Sequence, residues 1–190
     1  MSMGLSKLAA AKAALQYVQV VLPLGSGNNF KDGRNPILRA FVEVKLVTDV
    51  RPAMLREDIA MILTSKLYRA FGAEFGEAER AAYITRVASI AVAAGCGNCS
   101  DQATVAFCYL YYQHIRPIDL MYLTNEKHSF VVIGKNSDGG LDPATWGEDV
   151  VVCDPWNDDA YTLAPAQAAS TLLVKMQCNC SQAKTFCRFG

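Results

Sequence analysis

The chain has 190 residues, with 18 basic and 18 acidic side chains and a formal net charge of zero. An apolar fraction of 52% and a mean hydropathy of +0.13 fit a filled globular core. The charge balance argues against nucleic acid or an anionic membrane surface as partner. No uninterrupted apolar run reaches the roughly 18 residues that would span a bilayer.

The length suits a single domain. The opening Met1-Ser2-Met3-Gly4 reads like a cloning remnant. Leu5 to about Val21 is alanine-rich, with Leu8, Leu15, Val18 and Leu22 near one face, and predicts a helix packed on the body. Lys12, Gln16 and Gln19 interrupt it and no small-residue cleavage pattern follows, so it does not read as a signal peptide. Pro23 to Pro36, with Gly25-Ser26-Gly27-Asn28-Asn29 and Asp32-Gly33, predicts a loop. Phe41 to Val47 alternates apolar and charged residues, which favours a strand, while the helical character from Ile37 onward competes.

A second helix is expected from Pro52 to about Phe71, with Gly72 at its end, and a third from Glu77 to Ala94, stopped by Gly95. A fourth runs from Ser100 to about His114, ahead of Pro117. The pattern then changes. Asp119–Leu123, His128–Gly134 and Val150–Asp154 are short β-prone runs. Asn136 to Asp149 predicts a long loop whose acids Asp138, Asp142, Glu148 and Asp149 are solvated, Pro165 to Met176 a helix, and Cys178 to Gly190 a polar tail without a clear period. The fold class is therefore α+β: a helical portion over about 5–94, a core over about 95–176 with a small, mostly antiparallel sheet, and a tail over 177–190.

Seven cysteines are an odd number, so at least one thiol is free or pairs between chains, and their density is not that of a disulfide scaffold. Cys96 and Cys99 lie in the glycine turn Gly95–Ser100, which runs straight into a helix. A thiol at a helix N-terminus ionises more readily, because unpaired N–H groups and the macrodipole favour an anion. Only two histidines are available as a base, and His114 is better read as the cation closing its helix. His128 opens one strand and Asp154 closes another, so one end of a sheet can bring them together. Cys99 is then a nucleophile, His128 its general base and acid, and Asp154 the group that orients the ring. The Cys99 N–H is a ready oxyanion donor. Asn98 either helps place the oxyanion or only tolerates the turn, and Trp156 is a core residue or a wall of the cleft.

Three segments, Gly97–Ala103, His128–Gly134 and Val151–Trp156, together resemble the Cys, His, Asp core of the papain-like and transglutaminase-like superfamily. The nearest flavour is its bacterial effector and toxin branch, which includes glutamine deamidases and cysteine proteases acting on host proteins. The resemblance covers roughly Gly95 to Trp156, about a third of the chain, with gaps of 29 and 26 positions between the three residues. Many relatives carry Glu where this chain has Asp101; the shorter acid still stands in the first turn of its helix. The resemblance implies a papain-like or transglutaminase-like core and acyl transfer through a thioester. The expected activity is protein glutamine deamidation, with thiol proteolysis as the alternative and cross-linking to an amine as a third outcome. It implies no cofactor, no metal and a protein substrate of a host cell; the composition and the interrupted N-terminal run add the expectation of a soluble protein delivered without a cleavable signal.

Other readings of the same cysteines stay open. Cys96-Gly-Asn-Cys99 has redox spacing, although a helix precedes it where a thioredoxin-type site follows a strand. With Cys178 and Cys180 the pair offers four thiolates to a structural zinc in a non-catalytic binding module, leaving His128 and Asp154 unexplained. Cys99 as an ordinary buried thiol is the plainest alternative, and one that Cys108 and Cys153 fit well.

Overall fold

A computed structural model describes residues 6–26, 36–70, 76–123, 127–140, 142–176 and 183–190, and these form a mixed α+β fold. Helix α1 (Lys7–Val21) starts where the Ser6 hydroxyl accepts from the Ala9 N–H at 3.2 Å. Its small face, Ala10, Ala11 and Ala14, is buried, so the helix lies close on the body.

Helices α2 (Pro36–Lys45) and α3 (Arg51–Ala70) form one continuous arm joined by a π turn over Leu46–Val50. This corrects the strand expected at Phe41–Val47. Val42, Leu46 and Val50 are buried at four-residue steps while Phe41, Val44 and Val47 are exposed, so the apolar period is helical. Pro52 therefore does not begin a separate helix. The π turn, in which the Arg51 N–H reaches back to the Leu46 carbonyl, lies directly ahead of it, where a residue without an N–H and with a ring aimed at the preceding turn would otherwise strain an α-helix.

Helix α4 (Glu77–Ala94) runs over the expected span and ends in Gly95, whose φ of 69° is the left-handed cap glycine favours. Helix α5 (Cys99–Tyr112) follows. Ala103, Val105, Ala106, Phe107 and Leu110 are buried, so it is covered on most sides by α1, α4 and the sheet.

The sheet has five antiparallel strands in the order β4-β3-β2-β1-β5. They are β1 (Ile118–Leu123), β2 (His128–Ile133), β3 (Val150–Asp154), β4 (Asp159–Leu163) and β5 (Ala183–Phe189). Ile118, Leu120, Val131, Ile133, Val151 and Phe189 face the helices. Phe130, Val132, Val152 and Trp146 face the other side, where helix α6 (Ala168–Met176) buries Ala168 and Leu172. Strands covered on both faces read as apolar runs, which is why β1, β2 and β3 stand out in the sequence.

Strand β5 falls in the segment expected to be a tail. It is held to β1 by pairing and by Arg188, which bonds the buried Asp119 carboxylate at 2.8 Å and the Lys135 carbonyl at 2.8 Å. The register between β1 and β5 shifts at Leu120/Met121, so Phe186 is an extra, unpaired residue. Among the described residues no helix is long and apolar enough to cross a membrane. Gly27 to Asn35, Gly72, Cys178 and Cys180 lie outside the described residues.

Candidate functional site

The turn that carries Cys99 is braced from several sides. Leu24 donates its N–H to the Gly95 carbonyl at 2.9 Å and Gly97 donates to the Gly25 carbonyl at 3.0 Å, so the segment after α1 pairs with the turn. The Lys45 ammonium reaches the Ala94 carbonyl at 2.9 Å, at the negative end of α4. Inside the turn, the buried Gln102 amide donates to the Gly97 carbonyl at 2.9 Å. The Asp101 carboxylate accepts the Asn98 N–H at 2.8 Å, and the two residues close a capping box at the start of α5. Burial pushes the Asp101 carboxyl up, opposed by the Asn98 N–H, the Arg51 charge and Ser100. A Cβ at Gly97 would sit 2.5 Å from the Asp101 Cβ, so only glycine lets the acid pack there.

Cys99 is the first residue of α5 and is half-buried. Its sulfur donates to the carbonyl of Lys127, the residue just before His128, at 3.4 Å, and lies near enough to the His128 ring to favour its charged form. His128 is buried at the start of β2, and its Nε2 bonds the Asp154 Oδ2 at 2.8 Å at the end of β3. The three side chains singled out in the sequence thus meet at one end of the sheet, beside the start of the central helix. The sheet's register prepares this meeting: Val131 pairs with Cys153, which sets Asp154 across from Phe130, two positions from His128 and on the same face of the sheet.

Burial alone would drive the His128 ring toward its neutral form. The hydrogen bond that the ring donates to Asp154, then the interaction with Cys99 and the charges of both, overcome this and raise its pKa to about 10. The ring is accordingly a cation at neutral pH. Asp154, 1% exposed, is itself held: the Asn157 side-chain amide donates to Oδ2 at 2.7 Å and the Asn157 N–H to Oδ1 at 3.3 Å. Asn157 was not anticipated, although the Asp-Pro-Trp-Asn order carries the signal of a turn in which an Asp caps the N–H three residues on. Trp156 stands edge-on to the His128 ring, 5.5 Å between centroids at 62°, and walls one side of it. Asn98 is engaged as helix cap, while the Cys99 N–H, first in its helix, has no acceptor among the described residues.

The other described cysteines are set apart by burial. Cys96 is fully buried beside Val42, Leu46 and Val50, with its thiol pushed up by that burial. Burial likewise raises Cys108 to about 12 and Cys187 to about 11, and holds Cys153 protonated inside β3. All five described cysteines, Cys99 included, are free thiols. His114 closes α5 with a φ of 56°, and the acidic loop is ordered around Asp142, which caps Ala144 at 3.0 Å. Among the described residues no three His, Cys, Asp or Glu side chains gather as metal ligands.

An arrangement of sulfur, imidazole and oriented carboxylate at a helix start is suited to nucleophilic attack with proton transfer through the ring. No protein-family model, no curated protein and no solved structure matches this chain.

Proposed function

We propose that the chain is a cysteine-dependent acyl-transfer hydrolase acting on a carboxamide of another protein, most specifically a glutamine deamidase of bacterial effector type. The observation that carries this reading is the His128 ring, bonded to the buried Asp154 at 2.8 Å, with the Cys99 sulfur held at 3.4 Å on the carbonyl of Lys127, the residue just before His128. The order Cys, His, Asp on helix, strand and strand accords with the papain-like and transglutaminase-like core, and we assign α5, β2 and β3 to it.

In the proposed reaction the Cys99 sulfur, its proton lost to solvent beside the protonated His128 ring, attacks the side-chain carboxamide carbon. The Cys99 N–H receives the developing oxyanion. The ring gives its proton to the nitrogen, the C–N bond breaks, and ammonia leaves a thioester. Water then gives a proton to the ring and its oxygen attacks the thioester carbon; the C–S bond breaks and glutamate departs. Asp154, fixed by Asn157, keeps the ring in the required tautomer and stabilises its charge. Cys99 itself helps hold the proton on His128, so acylation of the sulfur removes that contribution and leaves the ring a better base for the second half.

The test is incubation of the protein with a eukaryotic cell extract, followed by mass spectrometry for glutamine-to-glutamate conversion, with the Cys99→Ala variant as reference. The expected result is one or a few sites gaining about one dalton, as replacement of NH2 by OH requires, without chain cleavage and absent with the variant. New chain ends dependent on Cys99 select thiol proteolysis instead. No difference between the two proteins overturns the reading.

A further inference from the structure

A cavity of about 530 Å³ lies between α3, α4, the start of α5 and strands β1 and β5. That volume is within the roughly 300–1,000 Å³ of small-molecule sites. Two of its lining residues, Ser100 and Ser129, directly follow Cys99 and His128 in the chain, so the cavity begins one residue from each, on the face of β2 opposite the His128 side chain. The rest of the wall is largely apolar, with Met54, Met61, Ile84 and Val87 from the helices. Methionines adapt their shape to what they hold. The Asp58 carboxylate in this wall is engaged by the Tyr83 hydroxyl.

The cavity does not end at its rim. Phe186, the unpaired residue of the β5 bulge, is 61% exposed and forms part of the lining. Bulges commonly re-aim a side chain beside a site. Ile62 lines the cavity and also belongs to an exposed stripe on α3 made with Leu55, Ile59 and Leu63. The spacing is that of one helix face, and it extends apolar surface about 12 Å along α3 at 1.5 Å per residue. A lipid chain would fill the cavity and leave that stripe wet. A polypeptide segment with several apolar side chains covers both and brings a carboxamide to the sulfur.

We propose that the cavity and the adjoining face of α3 bind an apolar segment of the protein substrate, next to the residue that is processed. This rests on the reading of Cys99 given above and names how its substrate is chosen.

The probes are three chloroacetamides that lose chloride to a thiol: chloroacetyl-Leu-Phe-Leu-amide, chloroacetyl-Ser-Gly-Ser-amide and N-dodecyl chloroacetamide, with iodoacetamide as reference. Alkylation of Cys99 by the Leu-Phe-Leu probe is expected to be at least tenfold faster than by the Ser-Gly-Ser probe. Ile62→Glu and Ile59→Glu, both at exposed positions, are expected to cut the Leu-Phe-Leu rate at least fivefold, and Val174→Glu on the far side of α6 to leave it unchanged. Equal peptide rates with fast iodoacetamide alkylation overturn the inference and spare the reading of Cys99. A dodecyl probe that outpaces the peptide and ignores Ile59→Glu assigns the cavity to a lipid chain and also overturns it. Slow iodoacetamide alkylation of Cys99 counts against the thiol instead. Fluorescence anisotropy of a labelled Leu-Phe-Leu-amide without the reactive group then decides the surface: saturable binding weakened at least fivefold by Ile62→Glu supports it, and no saturable binding overturns it.

Discussion

The end of the sheet where β2 begins and β3 ends, and the α2–α3 arm, are built on opposite terms. The first buries polar side chains, His128, Asp154, Asp101 and Gln102, and gives each a partner. The second leaves large apolar side chains, Phe41, Val44, Leu55 and Ile59 among them, in water. A buried polar group is costly unless paired, and an exposed apolar stripe is unfavourable unless something covers it. The contrast separates a region whose geometry is fixed by paired, buried polar groups from one whose surface is suited to contact.

The strongest way to break the contrast is at the carboxylate. Asp154→Asn keeps the shape but not the charge, and the proposed deamidation should fall by about 10⁴-fold, as when the orienting acid of a Ser-His-Asp triad is replaced by its amide. A fall of less than tenfold would mean that the ring does not depend on it. In stability, Phe107→Ala empties a fully buried position between α5 and the sheet and should cost about 3–5 kcal/mol in urea unfolding. Gly97→Ala forces a methyl into the Asp101 side chain and should cost about 1–3 kcal/mol. If Gly97→Ala is neutral, the turn is looser than its hydrogen bonds imply.

Titration sharpens the same contrast. His128 has its pKa raised from 6.5 to about 10, so the stability its protonated ring contributes is fully present below pH 6.5 and is lost as pH rises through about 10. The melting-temperature difference between wild type and His128→Gln should shrink across that window, and a constant difference would contradict the ion pair. The smallest effect belongs to the arm: Ile59→Ser should change stability by no more than about 0.5 kcal/mol. A loss comparable to that of Phe107→Ala would make the α3 face part of the core.

Much of the sheet end was legible in the chain because its signals are local. A glycine turn before a helix, a histidine opening an apolar run and an aspartate closing another placed Cys99, His128 and Asp154 on the elements that carry them. Gly95 marked the end of α4 to the residue. What escaped depends on distant partners. Strand β5 buries Ala183, Cys187 and Phe189, but the extra Phe186 breaks its alternation, and its place beside β1 is fixed by Arg188 meeting Asp119. In β4 only Leu163 is buried, so it lacks an apolar run. Charged residues fall between the apolar ones of α2 with a spacing that imitates a strand, and only its neighbours reveal which face is inside. The support that Asn157 gives Asp154 and the fit of Gly97 to Asp101 are three-dimensional facts with only a faint sequence trace.

The most direct test is the rate at which iodoacetamide alkylates each cysteine of the folded protein at pH 7, resolved by peptide mass spectrometry, in wild type and in His128→Gln. The account predicts that Cys99 reacts at least tenfold faster than Cys96, Cys108, Cys153 and Cys187 in the wild type, and that its rate drops at least tenfold in the variant while the others stay as they were. A Cys99 no faster than those four, or one indifferent to the loss of the imidazole, would contradict it.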